Sequence, residues 1–416
     1  MSHPESPRLP LATIQAALNK TTEVLASELA APGDTAPDWS DFEWCIARAT
    51  AVMHGISPLL CNLLRWQGPE SWQAFLREQR QHTFERHQRI DALLDDIGSR
   101  AARTGIPMLA MKGAALHQIG IYQAGERPMS DIDLLVTSEH AQATSRLLGI
   151  LGYRLTYRTF KHDVFEPPAG LETSGLGENV GNPIKIELHT RVVERLPLVE
   201  REISALVIPS RPVPGLNGYP SPTALMLHLL VHATGNICTN VLRLLHLHDI
   251  ALLSRRMTSS DWETVLAVAN GADWIYPPLA LTARYHADAV PAHVISRAES
   301  DCRWLLRQLH RRRRLSDVSL SNLRIHAFPG IEWASSTQEA VRYAMNRVKP
   351  GKDVLVARRE ALRMYSGLAG FSWPHLSQGR RIVRWMLHPQ ARPQSLSCVY
   401  AALSQAEAHL QLSQRQ

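Results

Sequence analysis

Hydrophobic positions recur every three or four residues along the first hundred positions, a spacing typical of amphipathic helices. The pattern predicts helices over residues 11–104. Residues 70–104 are expected to form one long helix that ends near Gly105 and Pro107, because these two residues favour the end of a helix.

After residue 105 the pattern changes to short apolar or alternating segments with helical stretches between them. We expect strands at residues 107–111, 131–136, 153–157, 162–165 and 184–189. Helices are expected at residues 113–120 and 138–151. Residues 167–183 are rich in Gly, Pro and Asn, which predicts a loop or a mobile flap.

Helical spacing returns after residue 221. We expect helices at residues 224–233, 241–253, 262–269 and 277–287, and weaker ones at 338–347, 354–365 and 378–387. The fold class is therefore α+β, with a small mixed β-sheet core flanked by N-terminal and C-terminal α-helical regions. We expect four parts: a helical region (1–104), an α/β core (105–215), a helical domain packed on it (216–310) and a mainly helical C-terminal region (311–416), which would form a separate subdomain.

The composition is that of a globular protein, with 416 residues, 45% of them hydrophobic and 20% charged. No secretory signal and no apolar run of membrane-spanning length is present, so we expect no membrane partner. The five cysteines are scattered and odd in number, which fits reduced thiols and a cytoplasmic location.

Positive charge is concentrated at the C-terminal end. Residues 301–416 contain 19 Lys/Arg and 7 Asp/Glu, including the run from Arg311 to Arg314. Such a region attracts acidic or nucleic-acid partners, but a solvated helical surface explains it equally well because few aromatic residues are interleaved.

Two aspartates, Asp131 and Asp133, lie at the start of the apolar segment 131–136. In a strand, side chains alternate between the two faces, so both carboxylates share one face and Ile132 takes the other. Paired carboxylates repel each other, and a hard divalent cation such as Mg²⁺ relieves that repulsion. Taken alone, the pair also fits an ordinary strand with solvated aspartates.

A third carboxylate comes from the segment 184–189, where Glu187 and His189 share a face opposite Ile186 and Leu188. If this strand lies beside the aspartate strand, Glu187 reaches the same metals. Three carboxylates that hold two metal ions can stabilise the attacking and leaving oxygens of a phosphoryl displacement.

Lys112 and Gly113 stand where a predicted strand turns into a helix. Backbone N–H groups at a helix start form an anion site, which predicts phosphate binding, although a packed turn explains the same residues. Arg127 and Ser130, close to Asp131, join Lys112, Gly113 and His189 as candidate nucleotide-binding residues.

Histidines cluster in the predicted helices between residues 224 and 253, with His228 and His232 four residues apart, followed by His246 and His248. A zinc site is one interpretation. Packing or a hydrogen bond to Asp249 is the alternative that we favour, and a role in holding the nucleotide or the acceptor is the third.

The order of these motifs resembles the uncharacterised nucleotidyltransferase family of the DNA polymerase β-like nucleotidyltransferase superfamily. The resemblance rests on Lys112-Gly113, on Arg127-x-x-x-Asp131-x-Asp133 and on Glu187-Leu-His189. It covers roughly residues 35–300, and its further matches are Trp39, His54-Gly-Ile-Ser-Pro, His228, His232, the segment 243–249 and Asp261-Trp262.

The resemblance implies a transferase that uses an NTP and Mg²⁺ or Mn²⁺. Asp131 and Asp133 correspond to the paired metal-binding aspartates, and Glu187 to the third carboxylate, which helps to deprotonate the acceptor. Lys112-Gly113 takes the place of the superfamily's Gly-Ser turn. Here Ala114 follows the glycine, so the usual serine hydroxyl is missing.

The sequence therefore predicts a nucleotidyltransferase of the EC 2.7.7 type that moves a nucleoside monophosphate from an NTP to a hydroxyl or phosphate. The acceptor is left open among a peptide, a metabolite, a sugar and a nucleic acid. Two alternatives are an inactive nucleotidyltransferase fold that binds nucleic acid or a partner protein, and a phosphohydrolase that uses water as the acceptor.

Overall fold

The computed structural model describes residues 9–167, 175–197, 199–269, 272–326, 328–351, 377, 379–380, 383 and 391–413. Among the described residues, none of the helices combines the length and the apolar character that crossing a membrane requires.

Four helices precede the sheet: α1 (Leu11–Ala30), α2 (Asp41–Met53), α3 (Ser57–Leu63) and α4 (Glu70–Arg103). Helix α2 begins at a capping box, in which Ser40 and Glu43 each bond the other's backbone N–H. The prediction of one long helix over residues 70–104 is confirmed by α4. The apolar side chains of its second half, such as Ile90 and Ile97, pack against the sheet that follows.

The strands are β1 (Pro107–Ala110), β2 (Asp131–Leu135), β3 (Arg154–Arg158), β4 (His162–Glu166), β5 (Lys185–His189), β6 (Val193–Arg195), β7 (Glu200–Glu202) and β8 (Gly215–Asn217). Six of them form a mixed sheet in the order β3-β4-β5-β2-β1-β8, and β6 pairs with β7. The two central strands, β2 and β5, are parallel, whereas β1 and β4 run antiparallel to the central strand that each adjoins. The predicted α+β class with helical flanks is confirmed.

The remaining helices are α5 (Lys112–Gln118), α6 (Ala141–Ile150), α7 (Ser204–Val207), α8 (Pro222–Thr239), α9 (Leu244–Ser254), α10 (Ser259–Ala269), α11 (Tyr276–Tyr285), α12 (Ala292–Asp301), α13 (Trp304–His310), α14 (Leu315–Val318), α15 (Thr337–Val348) and α16 (Pro393–Ser413). The predicted helices from residue 113 to residue 287 are all present within a few residues of their expected bounds. The helix expected at 338–347 is α15. The helix expected at 354–365 lies outside the described residues, as does nearly all of the one expected at 378–387.

Short elements escaped prediction. Strands β6, β7 and β8 have three residues each, and α7 has four. Such lengths are too short for a periodic pattern to emerge. Helix α16 was also not predicted.

The sheet has one apolar and one polar face, as the alternation predicted. Ile132, Leu134, Ile186 and Leu188 lie on the apolar face, buried in one hydrophobic cluster with residues of α4 and α6. The neighbouring positions Asp131, Asp133 and Glu187, whose side chains alternate with these, point to the opposite face. The apolar face fixes the sheet on the helices and leaves the polar face for chemistry.

The loop before β5 is held by α4. The Gln79 side chain accepts a hydrogen bond of 2.7 Å from the backbone N–H of Glu178 and donates to its carbonyl at 3.1 Å. Arg86 donates to the Asn182 carbonyl at 2.5 Å and to the Met129 carbonyl at 3.1 Å. The predicted loop thus has an anchored second half, and residues 168–174 lie outside the described part of the chain.

The segment His54-Gly-Ile-Ser-Pro has a structural role, which follows from the contacts of His54. Its Nδ1 accepts a hydrogen bond of 3.0 Å from the Leu244 N–H, so this histidine caps the start of α9. Its Nε2 lies 3.0 Å from the Ser321 hydroxyl. Gly55 follows with φ of +67° and lies against Leu245. The segment therefore joins the N-terminal helices to α9 and to the chain after α14.

The described C-terminal elements share the core of the N-terminal helices. Leu315, Leu396 and Val399 are buried in the same cluster as Ile46 of α2 and Leu18 of α1. Helix α16 packs against α2. In the described part of the chain, residues after 311 therefore lack a hydrophobic core of their own.

Candidate active site

A cleft of about 440 Å³ lies against the polar face of the sheet. The sheet side contributes Asp131, Asp133 and Glu187, and the opposite wall includes His228 of α8 and Arg243 at the start of α9. Each of the eight residues predicted to form the site lines this cleft: Lys112, Gly113, Arg127, Ser130, Asp131, Asp133, Glu187 and His189.

The two carboxylate strands meet in register. In the parallel pair of β2 with β5, Asp133 is the partner of Glu187 and Leu135 is the partner of His189. Asp131 precedes Asp133 by two residues and shares its face. The prediction that the Glu187 strand lies beside the aspartate strand is confirmed.

The surroundings of Asp131 and Asp133 shift their pKa values in opposite directions. Burial and the negative charges of Asp133 and Glu187 together raise the pKa of Asp131 to about 7. Burial also acts to raise the pKa of Asp133, but Lys112 and His189 outweigh it and hold that pKa well below its usual range. Asp133 is therefore negatively charged at neutral pH. Asp131 is harder to ionise, because it lies close to two other acids.

Lys112 supplies positive charge next to these acids. Its Nζ donates a hydrogen bond of 2.7 Å to Asp133 Oδ1. The residue adopts a left-handed backbone conformation with φ of +49°, which costs energy in a residue that has a Cβ. The sequence predicted Lys112 as a phosphate ligand, and the structure places its ammonium group on a carboxylate at the edge of the same cleft.

Two histidines complete this carboxylate cluster. His189 Nε2 lies 3.1 Å from Asp133 Oδ1 and 3.6 Å from Glu187 Oε2. His162 Nδ1 lies 3.2 Å from the same Glu187 oxygen. Burial lowers the pKa of His162 to about 4, whereas the hydrogen bonds of His189 to Asp133 and Glu187 overcome its burial and raise its pKa.

His162 was missed as a site residue. It was placed in a predicted strand, but the pairing of that strand with β5, in which His162 is the partner of His189, is a long-range contact. A signal was available in the period-two pattern, because a histidine at the start of an amphipathic strand resembles His189 at the end of another.

Arg127 is committed to a buried ion pair. Its Nε and Nη2 donate to the two oxygens of Asp249 at 2.9 and 2.8 Å, and the Tyr122 hydroxyl donates to Asp249 at 2.7 Å. An added Cβ at Gly113 would collide with Arg127 Nη1. Arg127 was predicted as a phosphate contact. In the structure its guanidinium group packs against Gly113 in the Lys112-Gly113 turn.

Arg243 is the cation that sequence reasoning did not select. Its side chain lines the cleft, and its positive charge acts on both Asp131 and Glu178 by lowering their pKa values. Among the described residues, no acidic side chain forms an ion pair with its guanidinium group. The segment containing Arg243 was noted in the resemblance, which was the available signal.

Ser130 is exposed at the mouth of the cleft, immediately before Asp131. Ala114 is buried beside the apolar face, in the cluster that contains Met129 and Ile132, and it also touches the cleft. The turn after β1 therefore presents the Lys112 side chain and the bare backbone at Gly113.

The two histidines of α8 make hydrogen bonds with partners other than Asp249. His228 Nδ1 lies 2.6 Å from the Tyr219 hydroxyl, and His232 Nδ1 lies 3.2 Å from Glu194. Asp249, the partner that we expected, is bound by Arg127 and Tyr122. In the described residues, the group of three with metal-ligand spacing is His162, Glu187 and His189, so the zinc interpretation of the α8 and α9 histidines has no support.

The basic C-terminal run is partly neutralised. Arg311 Nε lies 2.5 Å from Glu299, and Arg313 Nη1 lies 2.6 Å from Glu332. Arg303 is paired with Asp273 at 2.5 Å. These pairs remove part of the charge on which the prediction of a nucleic-acid surface rested.

The fold and the site together define a class of protein: a mixed sheet whose adjacent strands bring three carboxylates into one cleft. Comparison with protein-family models matches residues 40–285 to the uncharacterised nucleotidyltransferase family. The chain belongs to this family, and the resemblance inferred from the motifs is confirmed. Neither the comparison with curated proteins nor the comparison with solved structures produced a match.

Proposed function

We propose that the protein is an enzyme that transfers a nucleoside monophosphate from an NTP to a hydroxyl or phosphate group of an acceptor, a reaction of the EC 2.7.7 type. One observation carries the proposal. Asp133 and Glu187 are partners in adjacent parallel strands, with Asp131 on the same face, inside the cleft of a nucleotidyltransferase-family protein.

Asp131, Asp133 and Glu187 would hold Mg²⁺ or Mn²⁺. The fit is chemical, because buried carboxylate oxygens are the ligands that these hard cations prefer. Burial and the repulsion from Asp133 and Glu187 raise the pKa of Asp131 to about 7, and a divalent cation relieves repulsion of this kind. When bound, the metal neutralises charge on the phosphates and on the attacking and leaving oxygens.

The residues of the chain bind and orient the substrates. Arg243, which forms no ion pair among the described residues, would attract the triphosphate, and the backbone at Gly113 allows a close approach. Lys112 keeps Asp133 ionised. Glu187 accepts the proton of the acceptor hydroxyl.

In the reaction, the acceptor oxygen forms a bond to the α-phosphorus, and the bond from that phosphorus to the pyrophosphate oxygen breaks. Pyrophosphate takes the electron pair as it leaves. The acceptor proton passes to Glu187, so atoms and charge balance. Placing both reactants in one cleft lowers the entropic part of the barrier.

The test is to incubate the protein with each α-labelled NTP and Mg²⁺ in a cell extract and to follow the label. The native chain should label one acceptor, and the acceptor's chemistry will show whether it is a peptide, a metabolite, a sugar or a nucleic acid. Asp131→Asn with Asp133→Asn should reduce labelling more than about 100-fold, since changes outside the first ligand shell already cost 10–100-fold.

Asp163→Asn is the matched control. Asp163 is also a strand aspartate, but it pairs with Arg158 outside the cleft, so this variant should label normally. Labelling that survives in the double variant would overturn the proposal. Released nucleotide without a labelled acceptor would overturn it in favour of a phosphohydrolase. Salt-dependent nucleic-acid binding without any transfer would overturn it in favour of a binding protein.

A further inference from the structure

The carboxylate cluster contains nitrogen donors that the proposed transfer does not use. His162 Nδ1 and His189 Nε2 point at the same oxygen of Glu187, at 3.2 and 3.6 Å. Asp133 Oδ1 lies 3.1 Å from His189 Nε2. The ligand atoms of His162, Glu187 and His189 all lie within 4.8 Å of one another.

One of these nitrogens lacks a hydrogen bond. His162 Nδ1 is buried, and among the described residues no donor or acceptor meets it with hydrogen-bond geometry. A buried polar atom without a partner is costly, and in native structures it commonly marks a functional site or an ion. Its nearest charged neighbour is Glu187, which is itself one of the proposed metal ligands.

The spacing of the donors fits a single ion. Ligand atoms that each lie about 2.1 Å from a metal are separated by roughly 3 Å in adjacent positions and roughly 4 Å in opposite ones. Glu187 Oε2 lies 3.2 Å from His162 Nδ1 and 3.6 Å from His189 Nε2, close to the adjacent separation, and all three ligand atoms lie within 4.8 Å of one another.

We propose that His162, His189 and Glu187 form a binding site for a first-row transition-metal dication such as Mn²⁺, and that this site prefers such an ion to Mg²⁺. Imidazole nitrogen is a good ligand for transition metals, whereas Mg²⁺ demands oxygen ligands in a nearly ideal octahedron. The use of the bound ion rests on the proposed function, because Glu187 belongs to both sites. Binding of the ion does not depend on nucleotide transfer.

Manganese binding to the full-length protein without nucleotide provides the test. Electron paramagnetic resonance measures bound Mn²⁺, and pulsed measurements detect ¹⁴N nuclei that are directly bonded to it. The native protein should bind Mn²⁺ with ¹⁴N coupling, and equimolar Mg²⁺ should not displace it. His162→Gln and His189→Gln should each weaken Mn²⁺ binding at least about tenfold, since substituting a residue that only orients a metal ligand already weakens metal binding by that factor.

His140→Gln is the matched control, because His140 lies outside the cleft at the start of α6 and contacts Thr137. It should bind Mn²⁺ like the native protein. Circular dichroism checks that each variant is folded. The ¹⁴N measurement on the native protein decides the question even if a variant fails to fold.

Mn²⁺ bound without ¹⁴N coupling would overturn the histidine site, as would equal affinities for the native, His162→Gln and His189→Gln proteins. These results leave the labelling experiment with Mg²⁺ unaffected. Conversely, nitrogen-coupled Mn²⁺ in a protein that labels no acceptor would remove the proposed transfer and keep the metal site. The two failures are therefore distinguishable.

Discussion

Gly113 connects the candidate site to a buried ion pair. Its missing side chain makes room for Arg127, whose guanidinium is fixed by Asp249 of α9. An added Cβ would also lie 3.0 Å from Met129 Cγ. Gly113 is thus required by its packing against Arg127 and Met129, in addition to any role in phosphate binding.

We predict that Gly113→Ala lowers the free energy of unfolding by about 1–3 kcal/mol, the range of overpacked cores, because Arg127 must move away from Asp249. Denaturant unfolding measures it. Gly149→Ala is the control: this glycine lies in α6 with nothing within 4 Å of the added Cβ. It should be neutral or stabilising by up to about 1 kcal/mol. Equal effects of the two substitutions would contradict the packing argument.

The sequence predicted which side chains share a face, because the period of two is a local property of a strand. Asp131, Asp133 and Glu187 were found in this way. The partners of those acids depend on pairings between distant segments, so neither the Lys112 contact with Asp133 nor the position of His162 beside Glu187 could be deduced. Whether these residues act in catalysis remains a prediction.

Among the elements, α4 does more than cover the apolar face of the sheet. Arg86 lies within it, almost fully buried, and reaches the residue before Ser130 and the loop before β5 through two carbonyl groups. Its Nε lies 2.9 Å from Glu178. The helix therefore holds the approaches to both carboxylate strands.

We predict that Arg86→Met destabilises the protein by about 1–3 kcal/mol, because it removes the ion pair with the partly buried Glu178 and leaves two carbonyl groups without their donor. Arg77→Met in the same helix is the control, since Arg77 pairs with Glu70 on the surface; exposed pairs contribute at most about 1 kcal/mol. Thermal unfolding compares them. Adding Glu178→Leu to Arg86→Met should recover part of the loss, and no recovery would argue against the ion pair as the cause.

The longest helix was predicted well, whereas the three-residue strands were not. Helix α4 has 34 residues and shows many turns of its apolar stripe, whereas β8 has three residues at the sheet edge. The backbone of β8 forms hydrogen bonds with β1 in a parallel pair. No pattern in the side chains of β8 indicates that pairing.

The whole molecule contains many histidines that burial holds in the neutral form. Burial lowers the pKa of each of His54, His286 and His310 to about 3. Unfolded, each would take up a proton near pH 6.5. Between about pH 6.5 and 3 the unfolded chain therefore binds more protons at these positions than the folded one, and stability falls as the pH falls.

We predict a lower melting temperature at pH 5.5 than at pH 7.5, with each such histidine contributing up to about 1.4 kcal/mol per pH unit below 6.5. Asp131 and His189, whose pKa values are raised, act in the opposite direction. Scanning calorimetry at the two pH values measures the difference.

His54→Gln should reduce this pH dependence by the contribution of one proton, although the variant is less stable overall. A melting temperature that is equal or higher at pH 5.5 would show that the buried histidines do not dominate the acid response.

The cap that His54 provides for α9 has a consequence for where the protein can be divided. The family match ends at residue 285, yet Ser321, on the other side of the His54 ring, lies beyond that limit. Glu23, before residue 40, accepts hydrogen bonds from Tyr285 and from the Ser316 backbone. Residues 40–285, by which the family is recognised, are therefore fewer than the residues that fold together. A fragment cut at these limits would lose buried contacts at both ends.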